Sequence, residues 1–581
     1  MVKRVVKRGV RTSGGLAALM LLLFSVPVLA SLSGSVINAD ADPLEGVVVS
    51  ATEPDSGMTV SVSTDSDGQF VFPTDRLSEG AYELSIRAAG FEWAQPENRR
   101  VAIPAEGSSL TITVRPVTDP EVLASQLTSL EWLNSFPGST ADKDLLTRNM
   151  VNCAFCHSLE RIARSNHDAD GFMKVIQRMK TYETDHSSSV RIQRVAEPEP
   201  LEGLAWYGRD ARAISEYLAT VNLAGEKTGW DYPLQTLPRP AGAGTRAVVT
   251  VFPIPRPASV VHDLDVDAQG NVWYGNTGWD YLGKLNPTTG KFSEWPAPNF
   301  LPPAAGEGVD RIVGVQDIQV DPQGKVWAAV MGNKHAAFDP ELERWQVFDL
   351  PVIWKNPFLG PVRDDEVMLW GSGITQPPEG EERYEHAFAL NTATGELSKG
   401  IALFAGLPSP TSPTHADRLN YCYMFDQDEA GDFICTASET SAIVRAGLDG
   451  SVERIPTPTP HAYPRRGYRD DNNRFWFSEF FADRVGMLDL ATNQITEFPL
   501  SPRYISPYFT RPDRNGHIWI SSTGSDRLLR LIPETGEVVS YLMPVYYDAR
   551  KVVLDESAPQ VTVWLPNKNA AELIRVELLT D

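Results

Sequence analysis

The sequence predicts a mainly β multidomain protein: an N-terminal β-sandwich, an α-helical domain and a C-terminal seven-bladed β-propeller. Three observations carry that expectation. Strand-like alternation fills residues 31–117, and apolar residues at helical spacing take over across 118–225. From 246 to 581 a turn-and-tryptophan unit recurs with a period of about 40–50 residues, the range of propeller blades. A chain of 581 residues also exceeds what one hydrophobic core organises, and 42% hydrophobic against 22% charged residues is a globular composition.

Residues 1–30 stand apart. Lys3, Arg4, Lys7, Arg8 and Arg11 make a basic start, residues 16–28 are apolar, and Val28-Leu29-Ala30 supplies a small-residue ending. This is the pattern of a secretory signal peptide; an uncleaved anchor is the competing reading, although the apolar run is short for a bilayer span. No later stretch is apolar enough to cross a membrane, and no cysteine follows the run to carry a lipid. Removing the five basic residues takes the formal net charge from −23 to about −28. So acidic a surface argues against nucleic acid and anionic lipid as partners, and it suits a basic redox partner protein.

The segment 31–117 reads as all-β. Val47-Val48-Val49 and Val60-Ser61-Val62-Ser63 are strand-like, and Thr64-Asp65-Ser66-Asp67-Gly68 is turn chemistry before Gln69-Phe70-Val71. Tyr82, Leu84 and Ile86 alternate with polar positions. Gly80-Ala81-Tyr82-Glu83-Leu84 and Ala89-Gly90-Phe91 resemble the carboxypeptidase regulatory-like domain. That resemblance implies a spacer or adhesive module without chemistry of its own.

Across 118–225, residues 120–133, 172–182 and 210–221 have helical spacing, with Asp210 placed to cap the last helix. Within this stretch Cys153-Ala154-Phe155-Cys156-His157 is the c-type haem attachment pattern. Two cysteines add to the haem vinyl groups, and the adjacent histidine reaches the iron from the same side. A zinc half-site is the competing reading, but no second cysteine pair lies nearby. For the sixth ligand, Val175-Ile176-Gln177-Arg178-Met179 and the closing Ile214-Ser215-Glu216-Tyr217-Leu218 helix resemble the haem domains of the quinohaemoprotein amine dehydrogenase group, which implies that Met179 ligates the iron beside His157. Met173, His167 and His186 compete for that role, and core packing is the alternative for Met179 itself. The proline- and glycine-rich segment 237–244, within a linker 226–245, closes the domain.

The propeller units are marked by Gln269-Gly270-Asn271-Val272-Trp273, Gln323-Gly324-Lys325-Val326-Trp327, Asn473-Arg474-Phe475-Trp476 and Asn515-Gly516-His517-Ile518-Trp519. Blade three, over 368–403, and blade four, over 419–455, are degenerate. The last unit, from Ala549, lacks an outer strand, which Val249-Thr250-Val251-Phe252 would supply by pairing the two ends of the domain. Cys422 and Cys435 flank a turn at 426–431 that sets them on neighbouring strands, as a disulfide or as two buried thiols.

The unit Gly270-Asn271-Val272-Trp273, with Trp476-Phe477-Ser478-Glu479 and Arg484-Val485-Gly486, resembles the virginiamycin B lyase family across nearly all of 246–581. The resemblance implies a histidine base with a metal-binding glutamate fourteen residues later. Glu479 takes the glutamate position, but Arg465 stands where the histidine belongs. Blade one has His262 with Asn276 as its partner, and blade six has Tyr508 with Ser522. An arginine stays protonated and cannot act as that base. An Arg465–Glu479 ion pair would neutralise the carboxylate meant for a divalent metal in the propeller. His262, Arg465, Glu479 and Tyr508 nonetheless fall near the inner strands, at one end of the central channel, and form the candidate catalytic set; His415 and His461 lie on inter-blade loops.

These features lead to an exported, periplasmic or secreted bacterial haem c protein. The expected function is an oxidoreductase whose propeller binds an unidentified small-molecule substrate while the haem transfers electrons. A non-catalytic electron-transfer protein is the second reading, and a metal-dependent carbon–oxygen lyase acting on cyclic depsipeptides is the third.

Overall fold

The computed structural model describes residues 32–104, 107–148, 154, 157–179, 211–298, 314–330, 334–352, 354–355, 358–362, 368–375, 384–405, 421–568 and 570–579. The proposed signal segment, the Cys153 and Cys156 positions, His186, Asp210 and His415 lie outside these residues. Among the described residues no helix is long and apolar enough to cross a membrane.

Two sheets form the N-terminal sandwich. The strands that were expected appear at Val48–Thr52, Thr59–Ser63, Gln69–Val71 and Gly80–Arg87. The sheets enclose Leu32, Val49, Phe70, Phe72, Leu84 and Ile112, all fully or nearly fully buried.

Among the described residues six helices follow: α1 (Pro120–Gln126), α2 (Ser129–Ser135), α3 (Thr140–Arg148), α4 (Glu160–Ala163), α5 (Ala169–Met179) and α6 (Ala211–Val221). The single periodic stretch 120–133 is thus two helices. Thr128 breaks it by starting α2 with a capping box, its hydroxyl taking the Glu131 amide while the Glu131 carboxylate takes the Thr128 amide. The helices share a core with blades five and six of the next domain, in which Trp132 and Leu218 pack in one cluster with Trp476 and Leu529.

From 261 onward the chain builds antiparallel four-stranded sheets in propeller-like succession, each running from an inner to an outer strand. Blade one runs through Val261–Val266, Val272–Asn276, Tyr281–Asn286 and Lys291–Pro296. Blade three begins earlier than its weak pattern suggested, with Trp354–Lys355 ahead of Met368–Ile374, because that first strand is short and carries no turn signature. The seventh sheet is closed as expected. The strand Ala247–Pro253 pairs antiparallel with Glu572–Leu578, the last strand of the chain, as its fourth member. Its other edge pairs with Thr59–Ser63, so sandwich and blade seven share one continuous sheet.

The repeat has a local cause. In blades one, two, five and six an aspartate six residues before the tryptophan accepts its indole N–H: Asp267 from Trp273, Asp321 from Trp327, Asp470 from Trp476 and Asp513 from Trp519, at 2.8–2.9 Å. The second oxygen of each aspartate accepts two backbone amides of the intervening turn. The turn needs a left-handed residue, which is Gly270, Gly324, Asn473 or Gly516. Cys422 and Cys435 form a disulfide, with Cα atoms 5.6 Å apart, at the inner edge of blade four.

Candidate functional site

The innermost strands of blades one, two, five and six share one irregularity. Their pairing with the second strand slips just after Val261, Val315, Pro464 and Pro507. A bulge of this kind re-aims side chains. It falls on His262-Asp263, Gln316-Asp317, Arg465-Arg466 and Tyr508-Phe509, and it gathers them at one end of the axis. Arg550 and Lys551, just ahead of the first strand of blade seven, complete the cluster.

Two layers result. In the deeper one Arg466 donates to both oxygens of Asp263, at 2.6 and 2.7 Å, and to the Arg550 carbonyl at 2.7 Å. Lys551 pairs with Asp317 at 3.2 Å, and Arg550 with Asp548 at 2.6 Å. All of these side chains are buried. Burial pushes the Asp317 carboxyl up to about 6 despite Lys551. His262 places Nδ1 2.9 Å from Asp263 Oδ1, so its N–H donates there and the lone pair sits on Nε2. Burial, with the charges of Lys568, Arg466 and Arg550, holds this imidazole neutral.

In the layer above, Arg465 packs against four rings, with its guanidinium carbon 4.4 Å from Phe480, 4.8 Å from Tyr423 and Tyr508, and 5.2 Å from Tyr463. Its Nη1 donates to the Tyr423 hydroxyl at 3.1 Å, and the Tyr423 and Tyr508 hydroxyls bond to each other. Burial raises the Tyr508 phenol, but the charges of Arg550, Arg465 and Arg466, together with the bond from Tyr423, carry it below the ordinary tyrosine value. Desolvation of its phenol among the packed rings keeps Tyr423 high.

Three of the four expected site residues therefore meet here, namely His262, Arg465 and Tyr508. Glu479 does not. It ends the second strand of blade five, and its electrostatic neighbours are Glu497 and Arg484 rather than Arg465. The expected Arg465–Glu479 ion pair is absent, because the strand's alternation turns the two side chains apart. Glu479 is fully buried, its oxygens have no donor among the described residues, and burial beside Glu497 pushes it up to about 8. Asn276 and Ser522 are buried and bond within their own blades. His461 is exposed. Asp263, Asp317, Arg466, Tyr423 and Arg550 escaped sequence reading. The available signal was the doublet of charged or polar residues at the same place in successive inner strands.

A second region surrounds His157. It is partly buried and lines a pocket of about 480 Å³ with Arg87 and Phe91 of the sandwich, Gln126 of α1, and Asp526 and Tyr546 of the propeller. Burial lowers its pKa, and its Nδ1 lies 2.9 Å from the Ser158 carbonyl. The ring is thus a neutral imidazole with Nδ1–H donated away and the Nε2 lone pair left over, the state a metal-ligating histidine requires. Met179 is partly buried at the end of α5, and Met173 is buried in the helical core. His167 stacks edge-on against Phe172 at 5.4 Å. No group of three or more potential metal-binding His, Cys, Asp or Glu side chains occurs among the described residues.

Residues 31–115 match the family profile of the carboxypeptidase regulatory-like domain. The N-terminal sandwich is such a domain. No curated protein matches the chain. Among solved structures, a streptogramin B lyase is 17% identical and covers 58% of this chain and 100% of its own, with a TM-score of 0.45. A virginiamycin B lyase from Staphylococcus aureus is 16% identical over 57% of this chain and 100% of its own, with a TM-score of 0.43. The WD40 repeats of RRP9 are 9% identical over 58% and 98%, with a TM-score of 0.42. At these values none of them bears on what this chain does, and the propeller-like arrangement rests on the strand pairing above.

Proposed function

We propose that the chain is an exported haem c oxidoreductase, in which Cys153, Cys156 and His157 hold the haem and the axial residue cluster of the propeller binds a small substrate. One observation carries this reading: the histidine of the attachment pattern shares a pocket with propeller residues that lie close along the chain to the axial cluster. Tyr546 lines the pocket with His157, and four residues further on Arg550 lies over the Tyr508 ring at 4.5 Å. Four residues span no more than about 14 Å even when extended.

The residues suit the group. His157 offers a neutral imidazole with Nδ1 already engaged, and Met179 would be the second residue to hold the iron. When bound, haem c supplies a one-electron donor and acceptor whose potential a thioether ligand raises. In the axial cluster, Tyr508 holds or releases a proton beside Arg465 and Arg550, and His262 keeps a free lone pair at Nε2. These are the groups available to take a proton from a bound substrate. Periplasmic localisation belongs to the same proposal, since this haem attachment occurs outside the cytoplasm.

The test is the optical spectrum of the chain purified from a periplasm that has haem-maturation machinery. A sharp c-type band, lost in Cys153→Ala and Cys156→Ala, is the expected result. A band that appears on adding one small organic reductant alone supports catalysis, and one that appears only with dithionite or a partner protein favours pure electron transfer. Absence of any band overturns the proposal.

A further inference from the structure

Three cations of the axial cluster have carboxylate partners, and Arg465 differs from them. Arg466 has Asp263, Arg550 has Asp548 and Lys551 has Asp317. Among the described residues Arg465 meets the Tyr423 hydroxyl and four aromatic rings. Among the described residues no carboxylate lies within 4 Å of it, and its Nε has no acceptor. It is 6% exposed. Burying a guanidinium without a counter-ion is costly, and ring faces compensate only part of that cost.

We propose that Arg465 anchors a small organic monocarboxylate, and that the aromatic box around it is the binding site for that class of substrate. Arg466, Arg550 and Lys551 each hold a carboxylate, which leaves the single positive charge of Arg465 to match a single negative charge. A dianion such as phosphate needs a second unpaired cation. The planar fork of a guanidinium matches a planar carboxylate through two parallel hydrogen bonds. Tyr463, Phe480 and Tyr508 exclude water from that contact and offer flat apolar walls to the body of the ligand. Tyr421, Tyr423 and Phe481 are only partly buried and touch this box through ring contacts of 4.4–6.4 Å, so they form its rim. The proposal rests on the reading that the propeller holds the substrate, and haem plays no part in it.

The experiment is calorimetric titration and thermal melting of the full-length purified protein with acetate, hexanoate and benzoate, against benzyl alcohol and inorganic phosphate. At least one carboxylate should bind and raise the melting temperature, while benzyl alcohol and phosphate leave it unchanged. Arg465→Met should weaken that binding by about a hundredfold. Arg465→Lys keeps the charge without the fork and should lose most of the affinity too. The wild-type comparison decides even where a variant fails to fold. No binding by any of the three carboxylates overturns the proposal, as does equal binding of benzyl alcohol or phosphate, or a folded Arg465→Met that binds as wild type. The haem band is recorded on the same samples. Carboxylate binding without a band sustains this site and removes the redox reading, and a band without binding does the reverse.

Discussion

Arg466 and Asp263 meet through two parallel hydrogen bonds of 2.6 and 2.7 Å, both side chains wholly buried, and so tie blade five to blade one across the propeller axis. The attraction holds both charges in place only while both are present. Removing one leaves the other desolvated without a partner, a loss of about 3–5 kcal/mol. Arg466→Met and Asp263→Leu should each destabilise on that scale in urea unfolding, whereas the double substitution should cost much less than their sum. Additive losses would show that the two are not energetically coupled.

The aspartate of each repeat makes a local contribution that can be tested separately. Asp513 accepts the Trp519 indole at 2.9 Å with one oxygen and the amides of Asn515 and His517 with the other. Asp513→Ala strands a buried indole N–H and should cost about 1–3 kcal/mol. Asp513→Asn keeps one acceptor and should fall between the two in thermal melting. An alanine variant as stable as wild type would assign the turn's stability to Gly516 alone.

What was legible in the sequence follows the same division between local and distant. The glycine-to-tryptophan turns were visible because each closes within seven residues, and the missing seventh outer strand was visible because the other units had one. The His157 pattern is likewise a local spelling. The axial cluster was only half visible. His262, Arg465 and Tyr508 stood out one at a time, but Arg466 and Asp263 are 203 residues apart and meet only because the bulges turn both inward. The separation of Glu479 from Arg465 was not legible for the complementary reason, since its strand position is clear while the direction of its side chain depends on how the two strands pair.

Glu479 gives the chain a distinctive pH dependence. Burial beside Glu497 raises its carboxyl from 4.5 to about 8. A carboxyl raised on folding binds its proton more tightly in the folded state, so its contribution is full below pH 4.5 and is lost as the pH climbs towards 8. Glu479→Gln removes this titration. The variant should be more stable than wild type above pH 8, by on the order of 1–3 kcal/mol, and its stability should vary less across that window. Unfolding curves taken at several pH values measure both, and parallel profiles for the two proteins would refute the assignment.

The shared sheet makes the sandwich a cover for blade seven. Thr59–Ser63 pairs with Ala247–Pro253, and Val248 packs into the sandwich core while Val249 and Val251 face the propeller. Without residues 31–117 the strand Ala247–Pro253 becomes a bare edge with Val248 exposed, and such an edge pairs with other copies. The chain lacking the sandwich should therefore associate, as read by size-exclusion chromatography with light scattering. Adding Val248→Lys to the truncated chain places a charge on that edge and should restore the monomer. The same substitution in the full-length protein should do the opposite, since it drives an ammonium into the sandwich core, and thermal melting should record a loss. A truncated chain that stays monomeric without the lysine would mean that the sandwich is attached to the propeller but does not protect it.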